Sequence, residues 1–301
     1  MEKVSEIINK ARKMNIAIPA FNVPYLPMIE PIIQAVIDED SFSLIEVARV
    51  EWMKMGAKGP REVYEEFIKW EKPNYVRLHL DHVPVIDEDN KRVDYLPIIK
   101  EALEMGYESV MVDGSRLDLE ANIQATRRVV ELAHKKDAAC EAELGAVMGH
   151  EPGPLPPYEE IFASGKGFTD VKEAEIFVAQ TNCDWLSVAI GNIHGAISGA
   201  LRNKKKPEAR LDIKHLSRLS EVTRIPLVLH GGSGIAREYY LEAVKNGISK
   251  VNVGTELRQT YEAALQEDNS IAKAQDAVYN HTRNLISGYY NVSGIQKKIF
   301  G

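Results

Sequence analysis

Short apolar runs alternate with longer amphipathic segments along the whole chain. The short runs have the length and composition of buried strands, whereas apolar positions in the longer segments recur three and four residues apart, as in helices. Strands are predicted at 16–23, 42–50, 75–83, 109–115, 138–147, 184–195, 225–234 and 249–257. Helices are predicted between them, at 26–40, 95–106, 118–136, 170–182 and 237–247.

This alternation predicts parallel strands with helices packed outside them. Eight such units suit a closed (β/α)8 barrel, which typically holds about 250 residues in a single domain. An open doubly wound sheet is the main alternative, but the first strand-to-helix turn lacks the G-x-G-x-x-G pattern of dinucleotide-binding sheets. We therefore predict an α/β fold, a single-domain TIM barrel that spans residues 1–301.

Two segments depart from the alternation. Residues 147–170 are rich in Pro and Gly and show no clear period. Long loops in compact domains are usually functional or disordered, so we interpret this one as an active-site lid, with a surface insertion as the alternative. Residues 258–301 follow the last predicted strand, and we expect them to form a C-terminal helical extension that contributes packing or oligomer contacts.

Composition narrows the class of protein. A hydrophobic fraction of 45% supports a large core, and a net charge of −7 argues against nucleic-acid binding, which needs a clustered basic face. Cys140 and Cys183 are too few for a disulfide framework. The charged N-terminal segment does not resemble a signal peptide, and no apolar run is long enough to cross a membrane. We expect a cytoplasmic protein without a membrane partner.

Three histidines, His82, His194 and His230, stand at the ends of predicted strands. The carboxyl ends of all barrel strands converge, so these imidazoles are expected to meet around one ion. Three nitrogen ligands with an open position are typical of catalytic zinc, although hydrogen-bonded structural histidines are the alternative. His79 has the same strand parity as Asp81, and we interpret it as a structural neighbour.

Two glycine-containing loops follow the last two predicted strands, HGGSG at 230–234 and NVGT at 252–255. Glycines allow backbone N–H groups to approach an anion, and Ser233 and Thr255 add hydroxyl donors. Barrels often bind phosphate in these two loops. The pattern therefore predicts a phosphate site, with a tight strand-to-helix turn as the alternative for GGSG.

Seven short motifs then occur in a recognisable order: AFNV (20–23), HLDH (79–82), VMVDGS (110–115), EAELG (141–145), GNIHG (191–195), LHGGSG (229–234) and VNVGTEL (251–257). Together they resemble the class II, zinc-dependent ketose-bisphosphate aldolases, the family of the fructose-bisphosphate and tagatose-bisphosphate enzymes. The resemblance extends over nearly the whole chain, and it implies the same barrel that the periodicity predicts.

The resemblance also implies roles for individual residues. Asp81 matches the acid/base that serves the hydroxyl next to the cleaved bond, and Glu151 matches a loop glutamate that moves the proton at the enediolate carbon. The metal ligands implied are His82, His194 and His230, with Asp113 and Glu143 at a secondary metal position or beside the ligands. The substrate- and phosphate-binding residues implied are Asn22, Gly195, Ser198, Gly231, Gly232, Ser233, Asn252, Gly254 and Thr255.

The implied cofactor is Zn²⁺, with Co²⁺ or Mn²⁺ as substitutes and a monovalent cation as a further candidate. The implied reaction is reversible aldol cleavage of a ketose (bis)phosphate to dihydroxyacetone phosphate and an aldehyde, through a zinc-stabilised enediolate. A homodimer or homotetramer is expected. Two other enzymatic activities use the same residues: C4 epimerisation by retro-aldol cleavage, and cleavage of a sugar that carries no second phosphate. A non-catalytic sugar-phosphate-binding barrel is disfavoured because Asp81 and the three histidines are all present.

Departures from the family pattern concern the phosphate. Ser198 stands where many members have a phosphate-binding lysine, and Gly254 stands where Asp or Ala is usual. Arg49 or the basic run Lys204–Lys206 is expected to compensate for the missing lysine.

Overall fold

The computed structural model describes residues 2–147, 157–194 and 209–301. Eight parallel strands form a closed barrel in sequence order, and the last strand pairs with the first. The predicted barrel is therefore confirmed. The strands are β1 (Ile18–Asn22), β2 (Ser43–Ala48), β3 (Val76–Pro84), β4 (Ser109–Asp113), β5 (Ala139–Leu144), β6 (Trp185–Val188), β7 (Leu227–Leu229) and β8 (Ile248–Val253).

Helices surround the barrel, and all five predicted helices are present. The α-helices are α1 (Val4–Lys13), α2 (Ile29–Asp38), α3 (Arg49–Lys54), α4 (Pro60–Phe67), α5 (Tyr95–Met105), α6 (Leu119–His134), α7 (Tyr158–Ser164), α8 (Val171–Thr181), α9 (Ile213–Thr223), α10 (Arg237–Lys245), α11 (Thr255–Asp268), α12 (Ile271–Asn284) and α13 (Ile295–Phe300). A 3₁₀-helix at Leu26–Met28 precedes α2, and a π-helix at Leu285–Tyr289 follows α12.

Each predicted strand overlaps an observed one, and all but β3 were predicted to extend beyond their observed carboxyl ends. Strand β6 ends at Val188 and β7 at Leu229, several residues before the predicted ends at 195 and 234. Gly191, with φ +109°, comes three residues after β6, and Gly231, with φ +63°, comes two residues after β7; backbone of this kind departs from a regular ladder. Residues 49–54 form α3, although 49 and 50 were expected to be strand. The segments lost from the strands form the loops that carry the site.

Every strand is almost entirely buried, as expected for parallel strands covered on both faces. Apolar side chains such as Val251 and Val253 alternate with polar ones along β8. The polar positions include fully buried charged residues: Glu46, Glu141 and Lys250 are each 0% exposed. The barrel therefore encloses charge as well as apolar side chains.

The C-terminal helices pack on the barrel rather than away from it. Helix α12 lies against α11 and α2, and the Tyr289 hydroxyl donates a 2.5 Å hydrogen bond to the Ile235 carbonyl in the loop after β7. The expected helical extension of 258–301 contains the rest of α11, then α12 and α13. Within the described ranges, no helix combines the length and apolar character that crossing a membrane requires.

Candidate active site

Strand β3 bulges near its carboxyl end. Leu80 pairs with Val110 and Val83 with Val112, so two residues of β3 stand opposite a single residue of β4. The inserted pair is Asp81 and His82, and His82 has a φ of +33°, which is rare for a residue with a side chain. A bulge re-aims side chains that would otherwise alternate. Both side chains consequently line the same pocket.

The three strand-end histidines are brought together. The ring centroid of His82 lies 4.4 Å from that of His230 and 5.2 Å from that of His194, and those of His194 and His230 are 6.0 Å apart. One nitrogen from each ring lies within 4.8 Å of the others. The three side chains therefore form a histidine cluster that a single ion can bridge.

Two ring nitrogens of the histidine cluster fit a metal ligand better than a structural histidine. Nε2 of His82 and Nδ1 of His230 are buried and make no hydrogen bond of good geometry among the described residues, although Glu143 Oε2 lies 3.1 Å from His230 Nδ1. The other nitrogen of His230, Nε2, lies 2.7 Å from Glu141 Oε1, which leaves Nδ1 for a ligand. Orphaned imidazole nitrogens of this kind are expected where a metal belongs. The residues present fit a divalent cation with histidine ligands.

Carboxylates surround the histidine cluster. Asp113 Oδ2 lies 3.4 Å from His82 Nδ1, and Glu143 Oε2 lies 3.1 Å from His230 Nδ1. Burial alone would lower the pKa of His82, but the charges of Asp81, Glu143 and Asp113 outweigh it and hold this pKa well above its usual value. The site thus favours added positive charge. Asp113 and Glu143 stand where the resemblance expected them, within 4.8 Å of a His82 nitrogen.

The Asp81 carboxylate is held by two amides. Asn22 Nδ2 on β1 donates to Oδ2, and Asn252 Nδ2 on β8 donates to Oδ1, each at 3.0 Å. Burial alone would raise the pKa of Asp81, but the positive charges of His82 and Lys250 lower it below its usual value. Asp81 is therefore an oriented, ionised carboxylate beside the histidine cluster.

A second buried carboxyl, Glu51 on α3, was not expected from the sequence. Its Oε2 accepts the Ala48 backbone N–H at 2.8 Å and lies 3.4 Å from Asn22 Nδ2. Burial raises the pKa of Glu51 to about 8, and the nearby Asp81 charge raises it too. Its position three residues after the end of β2, in the first turn of a helix, is a usual capping position. A capping role accounts for a glutamate at position 51 of the sequence. Its place in the pocket wall is evident only from the folded structure.

The two loops after β7 and β8 lie side by side at the pocket. Gly231 has a φ of +63°, and a Cβ there would stand 2.1 Å from the Ile193 carbonyl oxygen. Ser233, Gly254 and Thr255 also line the pocket. Gly232 does not: its N–H donates to the Asn252 carbonyl at 3.1 Å, so this amide joins the loop to β8 instead of facing a phosphate.

Arg258 is the basic residue of this wall that the sequence prediction missed. It lies one turn after Thr255 on α11, is 3% exposed and pairs with Glu262 at 2.7 Å. Arg49, which was expected to compensate for a missing lysine, does not line the pocket and instead lies 3.4 Å from Asp87. The described pocket is lined by Asn22, Ala48, Val50, Glu51, Met55, Asp81, His82, Pro84, Ile86, Glu88, Asp113, Arg116, His194, Gly231, Ser233, Asn252, Gly254, Thr255 and Arg258.

Several predicted site residues lie outside the described residues: Glu151, Gly195, Ser198 and the run Lys204–Lys206. The described end of the expected lid contains α7, which the sequence did not predict. The Tyr158 hydroxyl lies 3.0 Å from the Gly191 carbonyl and 2.9 Å from the Arg210 carbonyl, which share its single proton as acceptors. It also accepts the Arg210 N–H at 2.6 Å. Helix α7 is thereby joined to the chain that follows β6.

Comparison with known proteins agrees with this geometry. The family model described as fructose-bisphosphate aldolase class-II matches residues 2–296. The chain is 31% identical over 272 residues to fructose-bisphosphate aldolase of Geobacillus stearothermophilus, covering 88% of this chain and 84% of that one. It is 31% identical over 265 residues to 6-phospho-5-dehydro-2-deoxy-D-gluconate aldolase of Halalkalibacterium halodurans, covering 87% and 83%.

Among solved structures, the YdjI aldolase from Escherichia coli K12 superposes with a TM-score of 0.75 at 26% identity, covering 98% of each chain. The family model, matching residues 2–296, spans the loops after β7 and β8 and the three histidines of the cluster. The chain belongs to the class II fructose-bisphosphate aldolase family and is a metal-dependent aldolase, a lyase.

Proposed function

We propose that this aldolase cleaves a ketose phosphate reversibly to dihydroxyacetone phosphate and an aldehyde, with Asp81 as the acid/base and Zn²⁺ held by His82, His194 and His230. The supporting observation is the setting of Asp81. Its two oxygens accept amide hydrogens from Asn22 and Asn252, and the adjacent residue belongs to the histidine cluster. A proton carrier and a cation site therefore lie next to each other in one pocket.

In the cleavage direction, Asp81 accepts the proton of the C4 hydroxyl. The oxygen electron pair forms the aldehyde carbonyl, the C3–C4 bond breaks, and its electrons pass into the C2 carbonyl. In synthesis, Asp81 returns the proton to the new C4 hydroxyl. Asn22 and Asn252 keep the orientation of Asp81 fixed for this proton transfer.

The identity of the metal is inferred only from the type of its ligands. A divalent cation, when bound, supplies Lewis-acid charge that stabilises the negative charge developing on the substrate oxygens. Histidine nitrogens suit Zn²⁺ and also accept Co²⁺ or Mn²⁺, so the choice of Zn²⁺ is part of the proposal. A monovalent cation and the role of Glu151 in moving the C3 proton stay predictions.

The phosphate of the dihydroxyacetone half is assigned to the wall formed by the loops after β7 and β8. Hydroxyls from Ser233 and Thr255, the glycine backbone of Gly231, and the guanidinium of Arg258 all face or border this wall. The N-terminus of α11 begins at Thr255 and adds its partial positive charge. These donors support the assignment even though the family's lysine is replaced by Ser198.

The other half of the substrate is less restricted, since the relatives' names include both a fructose bisphosphate and a 6-phosphogluconate derivative. A panel of fructose 1,6-bisphosphate, tagatose 1,6-bisphosphate, ketose 1-phosphates and unphosphorylated ketoses, with and without chelator, tests the proposal. We expect triose-phosphate release that stops on chelation and returns with Zn²⁺. Formation of only a C4 stereoisomer would indicate an epimerase, and turnover that survives full metal removal would contradict the proposal. The expected homodimer or homotetramer in the cytoplasm is a separate proposal, and its oligomeric part is decided by mass in solution.

A further inference from the structure

A lysine lies at the centre of the barrel below the pocket. Lys250 on β8 is 0% exposed, and its Nζ lies 2.6 Å from Asn252 Oδ1, 3.0 Å from Glu141 Oε2 and 3.1 Å from Glu46 Oε2. Burial alone would lower the pKa of Lys250, but the carboxylates of Glu141 and Glu46 raise it above its usual value. The side chain is therefore an ammonium group whose Nζ is surrounded by polar atoms of three different residues.

The contact with Asn252 determines which way that amide faces. An ammonium group only donates hydrogen bonds, so Lys250 selects the Asn252 orientation with Oδ1 toward Nζ. The amide nitrogen must then face Asp81 Oδ1, to which it donates at 3.0 Å. A reversed amide would direct its oxygen at the Asp81 carboxylate and repel it. Lys250 thus controls one of the two hydrogen bonds that hold the acid/base.

The contact with Glu141 reaches the histidine cluster. Oε2 of Glu141 accepts from Lys250 and from Trp185 Nε1, whereas Oε1 lies 2.7 Å from His230 Nε2. A carboxylate held ionised by Lys250 can only accept, so His230 must carry a proton on Nε2. Partners of this kind fix the tautomer and orientation of a ligating histidine.

The contact with Glu46 differs from the other two. Neither oxygen of Glu46 has a hydrogen bond of good geometry among the described residues. Burial raises the pKa of Glu46 well above its usual value and the Lys250 charge opposes this, so the two residues are linked through charge. Glu46 does not line the pocket. Charge balance and positioning are consequently carried by different partners, which allows them to be separated by mutation.

We propose that Lys250 is a positioning residue for both halves of the active site, holding Asn252 against Asp81 and Glu141 against His230. This inference rests on the proposed function, because it assigns Asp81 and His230 the roles given there. The competing explanation is purely structural: Lys250 neutralises buried carboxylates and has no influence on the geometry above it.

The test compares Lys250→Met with the charge-balanced double variant Lys250→Met/Glu46→Gln, using full-length enzyme. Glu46→Gln and the exposed substitution Lys245→Met are controls. Three quantities are measured: the thermal unfolding midpoint of the metal-loaded enzyme, the affinity for Co²⁺ by competition with a chelator, and kcat and KM separately. The Co²⁺ affinity is independent of turnover.

We expect the double variant to regain most of the unfolding midpoint lost in Lys250→Met. Its Co²⁺ affinity should remain about 10- to 100-fold below that of the wild type, and the loss of turnover should appear mainly in kcat. Recovery of both Co²⁺ affinity and kcat in the double variant would overturn the proposal in favour of charge balance. If the wild type cleaves no substrate in the panel, the proposed function fails, and the Co²⁺ affinities still decide the link between Lys250 and His230.

Discussion

Asp81 and His82 are consecutive residues of β3 whose side chains line the same pocket, because the strand bulges between Leu80 and Val83. In a regular strand one of the two would point away from the barrel interior. The bulge, with the positive φ of His82, brings a carboxylate and an imidazole to one substrate-sized space. Strain of this kind is common at functional sites.

Replacement of a histidine from the cluster tests the metal assignment. His194→Ala removes one of three ligands, so we expect less than stoichiometric metal after dialysis and little turnover. His134→Ala is the matched control, because His134 lies on α6 and pairs with Asp184 away from the pocket. Metal content by elemental analysis checks the prediction. Full metal content in His194→Ala would remove His194 from the ligand set.

Glu141→Gln tests the partner of a proposed ligand. An amide can donate as well as accept, so the proton on His230 Nε2 is no longer fixed. We expect metal affinity to fall about 10- to 100-fold, as is typical when such a partner is lost. Glu104→Gln, on the exposed face of α5, should leave affinity unchanged. Equal affinities for the two variants in a chelator titration would argue that Glu141 does not orient His230.

The loop after β7 provides a test of backbone geometry. Gly231→Ala places a Cβ 2.1 Å from the Ile193 carbonyl oxygen at a φ of +63°, so the loop must move. We expect kcat/KM to fall at least about tenfold, since strain of about 1–3 kcal/mol or a displaced loop is enough for this. Gly288→Ala is the control, because a Cβ added at Gly288 would meet no atom within 4 Å among the described residues. Unchanged steady-state kinetics in Gly231→Ala would show that this loop does not hold substrate.

His79 gives the fold a pH dependence. Burial, with the Lys250 charge, lowers the pKa of His79 to about 3, whereas an unfolded chain protonates it near the usual value of about 6.5. Between these values the unfolded state binds more protons, so stability is full above about pH 6.5 and declines as the pH falls toward 3. In His79→Gln this decline should be shallower by up to about 1.4 kcal/mol per pH unit. Urea denaturation of the metal-free wild type and His79→Gln at several pH values measures the free energy of unfolding. The same dependence of that free energy on pH in both proteins would contradict a buried, neutral His79.

The barrel was predictable from the sequence because each strand contains a compact apolar run and the five predicted helices keep a helical period. The carboxyl ends of β6 and β7 were not predictable. Asn192 and Ser233 follow these strands closely, and residue identity does not specify the backbone turns that take them out of the sheet. Helix α7 was missed since prolines before Tyr158 obscured its short pattern.

The polar lining of the barrel interior was the larger omission. Glu141 and Lys250 lie two residues before Glu143 and Asn252, just as His79 lies two before Asp81, so all share the inward strand face. This repeated spacing was the available signal. The register between strands determines which charged side chains come into contact, and a local sequence pattern does not specify that register.

The most direct test of the central claim measures the rates of two reactions catalysed by metal-loaded Asp81→Ala. We predict that cleavage of the preferred ketose phosphate falls about 10²- to 10⁴-fold, the usual contribution of a general acid/base. Deuterium exchange at C3 of dihydroxyacetone phosphate should persist, because Asp81 serves the C4 hydroxyl and not the C3 proton. Cleavage at the wild-type rate, or loss of exchange in step with cleavage, would contradict the role assigned to Asp81.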